Sequence, residues 1–212
     1  MNQNNTLYEV IKSLRPCKIG LVYASRQSTA EEIIKNVRFG DWLLWLAHKL
    51  DIDKRIITKS KIECARYMVS LISNPDIDEP GYNSINQNKR IIKECLDIGE
   101  KYCNCDATQS QMDEAVKRIY NRFPKSSGYL SVGGHLCIPA YFALNQNTEI
   151  CCTSISTTIA NHKSAFFKIG EDAYDEVIDN IEARCLEIVR RHLGDIIQES
   201  LYHKLTSIGY ER

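Results

Sequence analysis

The sequence predicts an all-α fold: a single-domain, multi-helix bundle spanning residues 1–212 with eight or more helices. Two observations carry this. Apolar residues recur at three-and-four spacing through most of the chain, the period of one helix face. Residues 42–47 (WLLWLA) are apolar without a break, and a helix apolar all round must be covered on several sides.

The elements follow in order. TLYEVIKSL (6–14) places apolar residues at 7, 10, 11 and 14, and Pro16 ends the helix. Ser28-Thr29-Ala30-Glu31 fits a capping box opening TAEEIIKNV, with Gly40 as its stop. Asp41 suits the start of the next helix, where a carboxylate meets exposed N–H groups and the positive dipole end. That helix is expected at the centre of the bundle, with Trp42 and Trp45 on nearly one face as its largest packing units.

Residues 53–73 form the next helix, with Ile56, Ile57, Cys64, Ala65, Met68, Val69 and Ile72 as candidate core. SNPDIDEPGYN (73–83) reads as a loop, followed by a helix from about Ser84 to Cys103. Thr108 caps QSQMDEAVKRIYNRF, which Pro124 stops, and KSSG (125–128) is a second loop. The glycines and proline of YLSVGGHLCIPAYFALNQ are expected to break a simple helix around 131–136. TEICCTSISTTIA (148–160) is rich in β-branched residues yet carries a helical stripe, and helix is the favoured reading. Two amphipathic helices, 171–193 and 195–208, are expected on either side of Gly194.

Composition narrows the function classes. A hydrophobic fraction of 43% supplies a core, so wholesale disorder is not expected. Lys plus Arg (27) equals Asp plus Glu (27), so no global charge draws the chain to nucleic acid or an anionic membrane. The pairs Lys54-Arg55, Lys89-Arg90, Lys117-Arg118 and Arg190-Arg191 are interleaved with acids and read as solvated helix faces. MNQNNTLYEV lacks a signal-peptide pattern, and no apolar run approaches the roughly 20 residues of a membrane span. A cytoplasmic protein is expected.

No catalytic or cofactor motif stands out. Nine cysteines, an odd count spread over the chain, argue for reduced structural thiols rather than a disulfide framework. Cys103-Asn-Cys105 has one spacer where zinc hooks have two to four, and His135-Leu-Cys137 and Cys151-Cys152 complete no recognised site. A catalytic Cys–His pair would need one of His48, His135, His162, His192 or His203, and spacing singles out none. SVGGHL lacks the GK[ST] ending of a phosphate loop. The expectation is no enzyme activity, no cofactor and no metal.

One constellation is distinctive. Pro16, Cys17 and Gly20 form a Pro-Cys-x-x-Gly turn, followed by STAEE, GDWLLWLAHKL (40–50) and ECARYMVSLI (63–72). This order resembles a helical family of predicted immunity proteins (Imm-five-like) from bacterial polymorphic toxin systems, whose members also occur in phage genomes. The resemblance covers about half the chain, roughly 14–122, so residues 1–122 form the family-like half and 123–212 a divergent helical half. Many relatives carry alanine-and-tyrosine-rich runs where this chain has YLSVGGHLCIPAYFALNQ. The resemblance implies a non-enzymatic protein-binding inhibitor, immunity-type or anti-defence, that neutralises a toxin or effector. It implies no catalytic residues.

Two alternatives stand beside it: a phage or virion-associated structural protein, and a small-ligand binder or enzyme with a pocket near Gly133–Cys137. The candidate partner-binding residues are Asp41, Trp42 and Trp45, since Trp is favoured as an interface anchor. Read instead as core, loss of either indole to Ala is expected to cost about 3–5 kcal/mol.

Overall fold

The computed structural model describes residues 3–71, 82–121, 132–145 and 171–207. Among them are α1 (Gln3–Ser13), α2 (Lys18–Ala24), α3 (Ala30–Asn36), α4 (Gly40–Lys49) and α5 (Lys54–Leu71). They are followed by α6 (Tyr82–Cys103), α7 (Gln109–Tyr120), α8 (Val132–Leu144) and α9 (Glu171–Ser207). No described residue lies in a strand, so the all-α multi-helix fold stands. The expected loop at 125–128, the Pro124 stop and the helix at 148–160 fall outside the described residues, as does most of the 73–83 loop.

Two helices organise the rest. α5 packs on α6 and α8, and α9 lies against both α5 and α4, with α3 and α1 along its length. One core cluster draws buried residues from every helix. Cys64, Ala65 and Met68 of α5 are sealed from solvent, as are Val189, Leu193, Ile197 and Leu201 of α9. Small residues let helices approach closely where α6 meets α5 and α8. A Cβ on Gly99 would overlap Leu144 and stand 2.9 Å from Ile62 Cδ1.

Local chemistry corrects several expected boundaries. The Pro-Cys-x-x-Gly segment is not an open turn: Cys17 N-caps α2, its Sγ accepting from Gly20 N–H at 3.4 Å. The capping box before α3 is shifted by one residue. Thr29 Oγ1 accepts from Glu32 N–H at 3.1 Å, and Glu32 Oε2 accepts from Ser28 N–H at 2.6 Å. Thr and Ser are both good caps, so Ser28-Thr29 is ambiguous until packing chooses. Gly40 does not close α3. That helix ends at Asn36 with Val37 extended, and Gly40 opens α4. Asp41 sits in the first turn of α4, where the dipole favours it, while Phe39 occupies the N-cap without a side-chain bond. Thr108 caps α7 as expected and completes a capping box with Gln111.

Two expected breaks are absent. Gly133, Gly134 and Pro139 all lie within α8. Helix propensity yields to burial here, since Cys137, Ala140, Ala143 and Leu144 are enclosed and anchor the helix. Gly194 lies inside a continuous 37-residue α9. Its missing Cβ is used for packing: one built there would lie 3.4 Å from Ile34 Cγ2 of α3.

Candidate functional site

The first four helices line a half-open pocket of about 250 Å³. That is well above the ~10–15 Å³ one water needs. Ile11 comes from α1; Gly20, Tyr23 and Ala24 from α2; Ile33 from α3; Asp41, Trp42, Leu43, Trp45 and Leu46 from α4. Pro16, Cys17 and Val37 complete the wall. The candidate residues Asp41, Trp42 and Trp45 therefore meet in one place, together with Pro16, Cys17 and Gly20.

The tryptophans do not occupy the centre of the bundle as expected. Leu43, Leu44, Leu46 and Ala47 are the buried residues of α4, while both indoles are half-buried and pack against the core from its edge. The physical reason is that α4 is covered on one side by α9 and α5, while towards α2 and α3 it faces the pocket.

The aromatic wall is well held. Tyr23 and Trp42 have ring centroids 5.3 Å apart at an interplanar angle of 71°, an edge-to-face pair. The Phe39 ring centroid lies 6.3 Å from that of Trp42. Tyr23 Oη donates to Ile33 O at 2.7 Å. Burial pushes the Tyr23 phenol up to about 12, opposed by Arg190 and reinforced by Glu32, so it stays a donor.

Arg190 of α9 fixes α3 from below. Its Nε donates to Ile34 O at 3.0 Å, and Nη2 donates to Lys35 O at 3.2 Å and Val37 O at 3.3 Å. A guanidinium at these carbonyls satisfies the carboxyl end of a short helix and meets its negative dipole end. Arg190 is therefore not a solvated surface charge, as its pairing with Arg191 had suggested. Arg191 and His192 both engage Glu63 of α5, His192 Nε2 at 2.7 Å. Partial burial raises the Glu63 carboxyl, but the hydrogen bonds from His192 and Arg191 outweigh it and hold the carboxyl below its ordinary range.

Other expected sites resolve differently. Cys105 is exposed and accepts from Arg55 Nη1 at 3.1 Å; Cys103 is half-buried, and burial pushes its thiol up to about 11. Near Gly133–Cys137, Cys137 is buried, and the side chains of residues 132–136 lie outside those described. Sequence reasoning missed Lys61. Only 2% exposed, it donates from Nζ to Asn145 O at 2.9 Å, just past the end of α8. Its signal was the spacing Ile57, Lys61, Cys64, Met68, a buried stripe with a cation inside it.

Among the described residues no helix is long and apolar enough to cross a membrane, and no group of three or more His, Cys, Asp or Glu could hold a metal ion. Comparison with family models, curated proteins and solved structures finds no match for the chain.

Proposed function

We propose that this chain is a non-enzymatic, cytoplasmic protein-binding inhibitor of the immunity or anti-defence type, which occupies a toxin or effector protein. The observation that carries the reading is the outer face of α2. Ile19 is 72% exposed and Val22, one turn on, is 46% exposed. Two large β-branched residues held in water on a seven-residue helix are costly to leave uncovered, and a partner's apolar surface would cover them. Phe39 adds a third exposed apolar side chain at the start of α4. The resemblance of Pro16–Ile72 to immunity proteins supplies the partner class.

The test co-expresses the chain with any toxin encoded beside its gene and scores protection of the cells. The wild-type chain should protect. The double variant Ile19→Glu, Val22→Glu should melt like the wild type, because both positions face solvent, and should lose protection. Full protection by that folded variant would refute the α2 face as the contact. Affinity capture from the native host that returned only virion proteins would refute the inhibitor reading.

A further inference from the structure

We infer that the pocket lined by α1–α4 is a binding site for an uncharged aromatic molecule of about two fused rings. Its volume sets the size of the guest. The pocket offers about 250 Å³. An apolar cavity of about 150 Å³ takes one benzene ring, so a second ring has room here. Its walls set the chemistry. Ile33, Leu43 and Leu46 supply branched apolar surface, and Tyr23, Trp42 and Trp45 supply three rings. Tyr23 and Trp42 stand edge to face at 71°, so an entering ring meets two differently oriented partners. Aromatic rings attract one another in offset and edge-to-face arrangements beyond what their buried area supplies, which favours an aromatic guest over an aliphatic one.

Charge decides the rest. The lining side chains that carry oxygen or sulfur are those of Cys17, Tyr23 and Asp41, and all three are already engaged. Tyr23 Oη donates to Ile33 O at 2.7 Å, Cys17 Sγ accepts from Gly20 N–H at 3.4 Å, and Asp41 has an interaction partner of its own. An ion entering the pocket would give up its hydration shell at a wall whose oxygen and sulfur atoms are committed elsewhere, which is costly. Burial already disfavours charge on that wall: it pushes the Tyr23 phenol up to about 12 although Arg190 pulls the other way. A neutral ring system meets neither cost. The bond from Tyr23 to Ile33 O also holds that ring in place before a ligand enters. Ile19 and Val22 do not line the pocket, so this site is separate from the α2 face proposed to meet a protein.

The experiment titrates indole into the full chain by calorimetry at neutral pH. Three comparison compounds run beside it: tryptamine, a cation; indole-3-acetate, an anion; and cyclohexylmethanol, a neutral aliphatic of similar size. Indole should bind saturably, about tenfold or more tighter than either ion and several-fold tighter than the alcohol. Cys17 gives an independent reading, because it is exposed and lines the pocket. Bound indole should slow its alkylation by iodoacetamide and leave Cys105, exposed and outside the pocket, unchanged. Trp45→Leu should lower the indole-to-alcohol ratio, whereas a purely structural loss would weaken both alike. Ile19→Glu, Val22→Glu should bind indole as the wild type does, which separates failure of the docking face from failure of the pocket. If Trp45→Leu does not fold, the wild-type ratios and Cys17 protection still decide. An ion or the alcohol binding as tightly as indole, or no saturable response to indole at millimolar concentration, overturns the assignment. So does binding of N-acetyltryptophanamide without binding of indole, which would make the pocket a seat for a partner's side chain.

Discussion

On one side of α4, Leu44 and Ala47 are enclosed to 1% and 0% exposure in the shared core. On the other, Trp42, Trp45, Leu43 and Leu46 border open space of about 250 Å³. Ten residues thus take part in two interiors. Where α6 meets α5 and α8, the missing Cβ of Gly99 lets the helices come close, and Cys64, Ala65, Cys95 and Ala140 there are sealed from solvent. Where α1–α3 meet α4, Tyr23 of α2 and Trp42 and Trp45 of α4 stay half-buried at the edge of the core, and a half-open pocket remains. Side-chain size alone does not place a residue in a core; what matters is whether its neighbours can close around it.

The sharpest way to break this comparison is a pair of truncations. Leu44→Ala should cost about 3 kcal/mol and lower Tm by about 6–12 °C, because its cavity would form inside packed surroundings. Trp45→Ala removes more atoms but enlarges a space already empty, so it should cost less, about 1–2 kcal/mol. That ordering reverses what the apolar run alone suggested. A thermal melt in which Trp45→Ala falls below Leu44→Ala would end the two-interior description.

The next effect is smaller and changes sign between regions. Gly99→Ala gains helix propensity worth up to ~1 kcal/mol but drives a methyl into Leu144 and Ile62, so a net loss of about 1–2 kcal/mol is expected. Gly20→Ala, beside the cavity, meets only Pro16 Cβ at 3.4 Å and Cys17 Sγ at 3.6 Å, ordinary contacts. It should stabilise by a few tenths to about 1 kcal/mol. Chemical denaturation of both variants checks the signs, and two losses of equal size would count against the difference in packing.

Thiol accessibility sharpens the same contrast at the level of local opening. Cys17 at the cavity wall and Cys105 are exposed, while Cys64, Cys95, Cys137 and Cys185 are buried. A native-state thiol assay should label the first two quickly and the four buried ones only at the rate of unfolding. Fast labelling of Cys185 would show that α9 is not the rigid spine its burial implies.

The all-α class was legible because it depends on local periodicity, which a single sequence displays in full. So was Thr108 as a cap. Boundaries set by tertiary contact were not. Gly194 and Pro139 look like stops until Leu193, Ile197 and Ala140 are seen to be buried around them. Arg190 looks like a surface charge until α3 presents three carbonyls to it from more than 150 residues away. The pocket itself was illegible, since it depends on how four helices come together.

The smallest expected effect concerns the ion pair that ties α5 to α9 outside both interiors. Glu63 is held below its ordinary carboxyl range by His192 and Arg191 against the opposing effect of burial. A carboxyl depressed in the folded state stabilises the fold above its unfolded pKa and loses that contribution as pH falls through the folded value. The window therefore lies on the acid side, from about pH 4.5 downward. Because the Glu63 side chain is 40% exposed, solvent screening keeps the contribution small, below about 1 kcal/mol. Glu63→Gln should lower Tm slightly at pH 7 and flatten its decline below pH 4.5, with the two proteins converging at lower pH. High salt should shrink the difference at pH 7. A Glu63→Gln curve parallel to wild type through the acid range would show that the α5–α9 contact rests on apolar packing alone.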